Sequence, residues 1–450
     1  MLPRMNRPVI LSKYLKKVFE TESRDYSEWF GYYNYDTLNH DISKMIAGRI
    51  VSDGVAPSKD EKVSLGYYDL KSGRWNRIGE TDSWNWQQGA MCQWLPSGNQ
   101  QDSIIYNCSD GEKLFSKIYN IKTGEQRTID WPIYGITSDG KKSISLDLER
   151  SYWCRAYHYQ SVINKEKDGL IWQKDGIYEI DILRNTKRTL IDIDTIIHVD
   201  YKDSFKNCKH WLEHVMVNPS GTRFCFLHRF SSPDNVLRYS TRLFVANADG
   251  SNLTLIPGWE DTIYTHFGWK SDSEFAIYTY TPYRIHEGPG FRELIKNKRI
   301  LSKDMFFRII LSLSAVLPYW IRTRLVGRRS YYQYYQLDGE NNPTPSGKAE
   351  GRLYCVDGHP SFTKGGRYMI TDSYPWKDGY QRLMVYDTQT RKSLVLARLN
   401  AYYRGNPASC DLHPKLCKDN RFLVVDTAFD EHHHMLMFEL DWNLIKKTIS

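Results

Sequence analysis

The sequence predicts an all-β, seven-bladed β-propeller with a helical, basic and apolar insertion in blade five. Three observations predict it. One strand–turn pattern recurs seven times, its spacing matches the length of a four-stranded blade, and the one oversized interval holds a segment of different composition. The pattern is an apolar strand, a polar residue, a turn and a further strand. It reads Gly66-Tyr67-Tyr68-Asp69-Leu70 before Lys71-Ser72-Gly73, and Ile118-Tyr119-Asn120-Ile121 before Lys122-Thr123-Gly124. It returns at Tyr178–Asp181, Leu243–Asn247, Tyr334–Leu337, Met384–Asp387 and Met437–Glu439. With the polar residue as marker, the positions are 69, 120, 181, 247, 336, 387 and 439, separated by 51, 61, 66, 89, 51 and 52 residues. Removing roughly 40 residues from the longest gap restores a period near 50, the length of a blade. Asp-Gly, Ser-Gly and Thr-Gly pairs supply the hairpin turns. A pair of β-sandwiches with a third domain is the alternative, and the even spacing along the whole chain argues against it.

A second marker lies upstream in each repeat, where an apolar strand ends in a polar turn. Examples are Asn218-Pro219-Ser220-Gly221, Lys270-Ser271-Asp272, Thr363-Lys364-Gly365-Gly366 and Cys417-Lys418-Asp419-Asn420. This is the innermost strand of a blade, whose start faces the central channel. The expected organisation is an N-terminal segment over 1–28, the propeller over 29–450, and the helical insertion over 285–332.

Aligning the inner strands on their turns places four histidines in register. His214 lies six residues before Ser220, His266 six before Asp272, His359 six before Gly365 and His413 six before Asp419. With 13 His in 450 residues, four successive blades sharing one position is far from random. Equivalent inner-strand positions converge on one end of a propeller axis, so a histidine-rich channel mouth is expected. Met91 and Ile133 hold the corresponding places in blades two and three, which makes the cluster one-sided. Cys410, three residues before His413, is close enough to join it. Neutral imidazole and thiolate are ligands for a borderline-soft divalent ion, and imidazole also moves protons near neutral pH. The bland alternative is that these histidines hydrogen-bond neighbouring blades and tie the ring shut. His432-His433-His434, after Asp430-Glu431, is expected in a solvated surface hairpin.

Arg229 closes the second strand of the His214 blade, where a guanidinium suits bidentate capture of a carboxylate. An Arg stacked on Trp211 or Phe230 is the alternative. His210 precedes His214 in Lys209-His210-Trp211-Leu212-Glu213-His214, and Tyr157 falls in the aromatic and basic stretch Arg150–Tyr159.

The chain has 450 residues and a formal net charge of +8. Ten bases and two acids lie between Arg292 and Arg329, so that short segment carries the whole excess. A nucleic-acid-coating protein is thereby excluded, because a phosphate-tracking surface needs bases spread along it. The N-terminus lacks the apolar core of a signal peptide, no run of 18 uncharged apolar residues occurs, and the eight Cys form no CxxC pair. A cytoplasmic protein is expected. Within the insertion, Met305–Ile321 is apolar, interrupted by Arg308 and Pro318 and flanked by bases. It reads either as a helical lid over the channel or as an interfacial helix making peripheral membrane contact through 292–329.

Several stretches carry a specific resemblance. They are Trp84-Asn85-Trp86-Gln87-Gln88-Gly89, His210-Trp211 with His214, Pro219–Phe224, Leu227-His228-Arg229, His359-Pro360-Ser361-Phe362, Thr371–Pro375 and Cys410-Asp411-Leu412-His413-Pro414. Together they resemble a bacterial family of TolB-like propellers similar to oligogalacturonate lyases and propeller-type ulvan lyases. The resemblance implies an acidic, uronate-containing polysaccharide as partner and β-elimination as the reaction. It makes His214 the candidate base, with Arg229 as carboxylate clamp and His210 or Tyr157 as auxiliary acid/base. It makes His266 a metal ligand and leaves the others open between His359 and the Cys410/His413 pair. A Cys ligand would favour zinc over manganese. The rival expectation is a non-catalytic glycan-binding or scaffolding propeller in cell-surface polysaccharide biosynthesis.

Overall fold

Four of the seven marker residues turn out to have the same local physical job. The Asp69 carboxylate accepts from the Ser72 amide (2.9 Å), Asn120 from Thr123 (3.0 Å), Asp181 from Arg184 (2.8 Å) and Asp387 from Gln389 (2.9 Å). A short polar side chain that bonds the backbone two or three residues on closes the turn and ends the strand. Gly73 and Gly124 then adopt the positive φ these turns require (+70° and +75°). In blade five the same work falls to Asp338, which accepts from Glu340 and Asn342 (2.8 Å each).

The computed structural model describes residues 9–21, 25–51, 58–96, 100–155, 159–260, 262–280, 330–400, 410–428 and 432–450. Their strands form seven antiparallel sheets set in a ring, the blades of a seven-bladed β-propeller. Inner to outer, blade one is Ser27–Trp29, Lys44–Ile50, Val63–Asp69 and Trp75–Thr81. The inner strands of blades two to seven are Gln93–Trp94, Gly135–Ile136, Lys209–Val217, Ile263–Trp269, Ser361–Phe362 and Lys415–Leu416. The core lies between blades, where residues such as Ile105, Ile144, Phe226 and Ile277 are wholly buried.

The segment before residue 29, set apart in the sequence reading, supplies strands to the ring. Leu15–Glu20 is the outer strand of blade seven, paired with His433–Leu440 from the other end of the chain. Ile10–Leu11 adds a fifth strand to blade six beside Ser393–Asn400. The ring is therefore closed by hydrogen bonds between its two chain ends.

The histidine run 432–434 is corrected. His433 and His434 begin the strand His433–Leu440 and are buried. The His433 ring packs 4.7 Å from Trp86. The preceding acidic pair suggested a loop, but the strand turns His433 toward Trp29 and Trp86 and His434 to the opposite side, where its Nδ1 meets the Thr21 carbonyl (3.2 Å). Most of the proposed insertion, residues 285–329, lies outside the described residues; its last three positions belong to the blade-five strand Ser330–Leu337. Among the described residues no helix is long and apolar enough to cross a membrane.

Candidate functional site

Two inner strands are broken where their histidines stand. Register shifts fall between Glu213 and Met216 in blade four and between Tyr264 and Phe267 in blade five. His214 adopts a left-handed backbone (φ +55°), as does His413 (φ +45°). A bulge leaves the extra residue unpaired and re-aims its side chain, and strained backbone of this kind concentrates at functional sites.

The four histidines meet. Ring centroids are 6.1 Å apart for His214 and His266, 4.1 Å for His266 and His359, and 4.4 Å for His359 and His413. Their neighbours orient them. His359 Nδ1 lies 3.0 Å from both carboxylate oxygens of Asp372. His266 Nδ1 lies 3.2 Å from Asp357 Oδ1, and His413 Nδ1 lies 2.5 Å from the Gly31 carbonyl. Carboxylates and carbonyls only accept, so Nδ1 of each ring donates and Nε2 keeps its lone pair. This outer-sphere arrangement is the one that presents imidazole to a metal ion.

Asp411 completes the group. One ligand atom from each of His359, Asp411 and His413 lies within 4.8 Å of the others, and all three residues are buried. Asp411 Oδ2 is held by Gln87 Nε2 (3.3 Å), whereas Asp411 Oδ1 and His413 Nε2 are buried without a hydrogen-bond partner. Two buried acceptors without partners, on residues that approach to 4.0 Å (His413 Nε2 to Asp411 Oδ2), are unfavourable unless a cation joins them. Burial pushes the Asp411 carboxyl well above the usual carboxylate range, with repulsion from Asp372 and Asp357 adding to it; burial likewise raises Asp372 to about 6. Burial holds His214, His359 and His413 well below the ordinary imidazole value, so they are neutral ligands or acceptors at neutral pH. The residues therefore fit a divalent cation.

A polar cluster flanks His214. Arg229 Nη1 pairs with Glu213 Oε2 at 2.5 Å, and Arg155, just beyond the helix Leu148–Cys154, reaches the same oxygen at 3.6 Å. Trp211 Nε1 donates to Glu213 Oε1 (2.8 Å), and Arg229 stacks on Tyr239 at 4.3 Å. Two guanidiniums against one carboxylate leave one positive charge beside His214.

Of the residues singled out from sequence, His214, His266, His359 and His413 come together, and Arg229 stands at their edge, paired to Glu213. His210 goes elsewhere. Its Nδ1 meets His228 Nε2 (3.0 Å), and its Nε2 meets the Phe205 carbonyl (3.0 Å), in a cluster that includes Arg242. Both its nitrogens are committed there, so the structure gives it no part in the channel site. Cys410 is buried, its thiol 3.8 Å from the Asp411 carbonyl oxygen, and it does not belong to the ligand group. Its neighbour Asp411 takes that place, and the thiolate argument for zinc over manganese goes with it. Tyr157 lies outside the described residues.

Sequence reasoning missed Asp357, Asp372, Asp411, Glu213 and two tyrosines. Tyr32 and Tyr33 follow the inner strand of blade one and pack among the histidines. Tyr32 stacks on His214 (5.4 Å) and meets His413 edge-on (5.1 Å), while Tyr33 lies 5.1 Å from His359. Gly31 makes this possible. At φ +109°, a Cβ there would strike the Tyr35 hydroxyl and the Gln88 carbonyl. The stretch Phe30-Gly31-Tyr32-Tyr33-Asn34-Tyr35, abutting an inner strand, was the available signal.

No family model and no curated protein sequence matches the chain. Solved structures do share its fold. An oligogalacturonate lyase in complex with manganese superposes with a TM-score of 0.60 at 14% identity, over 98% of each chain. The oligogalacturonate lyase of Vibrio parahaemolyticus superposes with a TM-score of 0.58 at 12% identity, over 97% of each. The chain is a seven-bladed β-propeller of the architecture these lyases use.

Proposed function

We propose that the protein is a cation-assisted lyase that cleaves a uronate-containing glycan by β-elimination. The observation that carries the reading is the convergence of four histidines and three aspartates from neighbouring blades, in a fold shared with a lyase solved with manganese. His359, His413 and Asp411, with His266 beside them, would hold the cation. When bound, it neutralises the uronate carboxylate and so makes the C5 proton removable. His214, neutral and bordering the cluster, takes that proton. The excess positive charge of Arg229 and Arg155 over Glu213 binds the acidic sugar and favours the enolate-like charge of the transition state. A nitrogen and oxygen ligand set is open to manganese as well as to zinc.

Incubation with pectic, ulvan-like and glycosaminoglycan-like polymers, with divalent metal present, tests this through the ultraviolet absorbance of the unsaturated product. Turnover of at least one is expected; silence on all three sinks the reading. The burial of His359 and His413 favours a second reading, in which the cation ties blades together and the mouth binds glycan without cleaving it. Tight binding unaltered by His214→Ala would select that one.

A further inference from the structure

Blade two carries Met91 where later blades carry a histidine, yet it touches the cation site twice through the loop 84–89. There the Asn85 side-chain oxygen accepts from the amides of Gln87 (3.1 Å) and Gln88 (2.8 Å), and the Asn85 and Gly89 backbones pair with each other (3.1 and 2.9 Å). Asn85 is buried, so the loop is held in that shape. Its first contact is direct: the Gln87 side-chain amide reaches Asp411 Oδ2 (3.3 Å). Its second runs through the stretch that follows the inner strand of blade one. His413 Nδ1 donates to the Gly31 carbonyl (2.5 Å). The amide of the same peptide unit, Tyr32 N–H, donates to the Tyr35 hydroxyl (2.9 Å). That hydroxyl lies 2.9 Å from the Gln88 carbonyl and 3.1 Å from the Phe30 carbonyl. Backbone amides only donate and carbonyls only accept, so the direction of each bond is fixed: the Tyr35 oxygen accepts from Tyr32 and its proton goes to a carbonyl, Gln88 being the nearer. The groups meet closely enough that a Cβ on Gly31 would stand 2.2 Å from the Tyr35 oxygen and 2.6 Å from the Gln88 oxygen.

We infer that the loop 84–89 positions the cation site: Gln87 orients Asp411, and Gln88, acting through Tyr35 and the Gly31–Tyr32 peptide, orients His413. A peptide unit is planar, so a hydroxyl that holds its N–H also sets the direction of its carbonyl, and with it the imidazole bonded there. Tyr35 is 5% exposed, so water does not stand in for its hydroxyl. The two ligands so held leave His413 Nε2 4.0 Å from Asp411 Oδ2, a separation that two metal bonds of about 2.1 Å span. Gln87 and Tyr35 are therefore positioning residues, and blade two shapes a centre to which it gives no ligand. This rests on the reading of the cluster as a cation site, and not on turnover of any glycan.

Calorimetric titration of the full chain with manganese, beside thermal unfolding of the metal-free protein, tests the inference. Gln87→Leu, at a half-buried position, and Tyr35→Phe, which keeps the ring, are each expected to weaken manganese binding by about 10- to 100-fold, the usual loss when an outer-sphere partner is removed. Tyr386→Phe separates this from lost stability. Its hydroxyl also donates to a backbone carbonyl, that of Lys348 (3.2 Å), but between the outer strands of blades five and six. That variant lowers the thermal midpoint and leaves manganese binding unchanged. Nitrogen-15 NMR of histidine-labelled protein adds a readout without metal, with His413→Gln identifying the resonance. The wild-type ring carries its proton on Nδ1, and Tyr35→Phe leaves the two tautomers mixed. Unchanged manganese affinity in either positioning variant overturns the inference, and Gln87→Leu decides alone should Tyr35→Phe not fold. A wild type that binds neither manganese nor zinc overturns the cation reading itself, an outcome the variants cannot imitate.

Discussion

At the scale of single residues, the site is governed by which buried acceptors lack partners. Asp411 and Asp372 are held in a dry cluster where their carboxyls are raised, so their ionised forms cost stability at neutral pH while no cation is present. Asp411→Asn is therefore expected to raise the thermal midpoint of the metal-free protein and to abolish the further rise that manganese gives the wild type. Asp372→Ala, which removes the acceptor of His359 Nδ1–H, weakens manganese binding by about 10- to 100-fold, whereas Cys410→Ser leaves it unchanged. Calorimetric titration checks all three, and loss of binding in Cys410→Ser would contradict the ligand assignment. The histidines were legible in the sequence because they stand in register with a repeated turn. Asp411 was not: it adjoins Cys410, whose ligand chemistry is the more conspicuous, and only the distances between ligand atoms show which of these two buried side chains is turned into the cluster. Tyr32 and Tyr33 stand where no repeat exists, so alignment of the blades could not reach them.

At the scale of elements, the blades were legible because each carries its own turn chemistry, and the closing strand was not. Leu15–Glu20 reads Leu-Lys-Lys-Val-Phe-Glu, with Lys16, Lys17 and Val18 facing solvent. Charged, exposed positions are how an outer strand avoids further pairing, and they also blur the alternation that would announce it. Its anchor is Leu15, buried against the cluster that contains Leu436 and Leu440. Leu15→Ala is expected to destabilise the fold by about 2–4 kcal/mol, the range for a buried leucine. Val18→Ala, at an exposed position, changes stability by less than about 0.5 kcal/mol. Urea unfolding measures both. Equal effects would mean that the chain ends do not close the ring.

At the scale of the whole molecule, the excess charge and the buried histidines set different behaviours. The +8 resides in 292–329, outside the described residues, and the propeller body is formally neutral. Histidines buried as neutral rings stabilise the fold above the ordinary imidazole value near 6.5 and lose that contribution as pH falls below it, because the unfolded chain then takes up the protons. The raised Asp372 and Asp411 oppose this, so a difference measurement isolates it. His228, pushed well below the ordinary value by burial with His210 and Arg242 adding to it, lies outside the carboxylate cluster. The stability lost on His228→Gln should be greatest at pH 7.5 and should shrink steadily toward pH 5. A loss that grows on acidification would reverse the sign and refute the argument.

The central claim is that the histidine and aspartate cluster is a cation-assisted elimination centre. Its most direct measurement is the rate of unsaturated product formation from a uronate polymer, by the wild type with manganese, by the wild type with a chelator, and by His214→Ala with manganese. The account predicts turnover in the first and a loss of at least about 100-fold in the other two, the low end of what a positioned general base contributes. Turnover that survives both the chelator and the loss of His214 would contradict it.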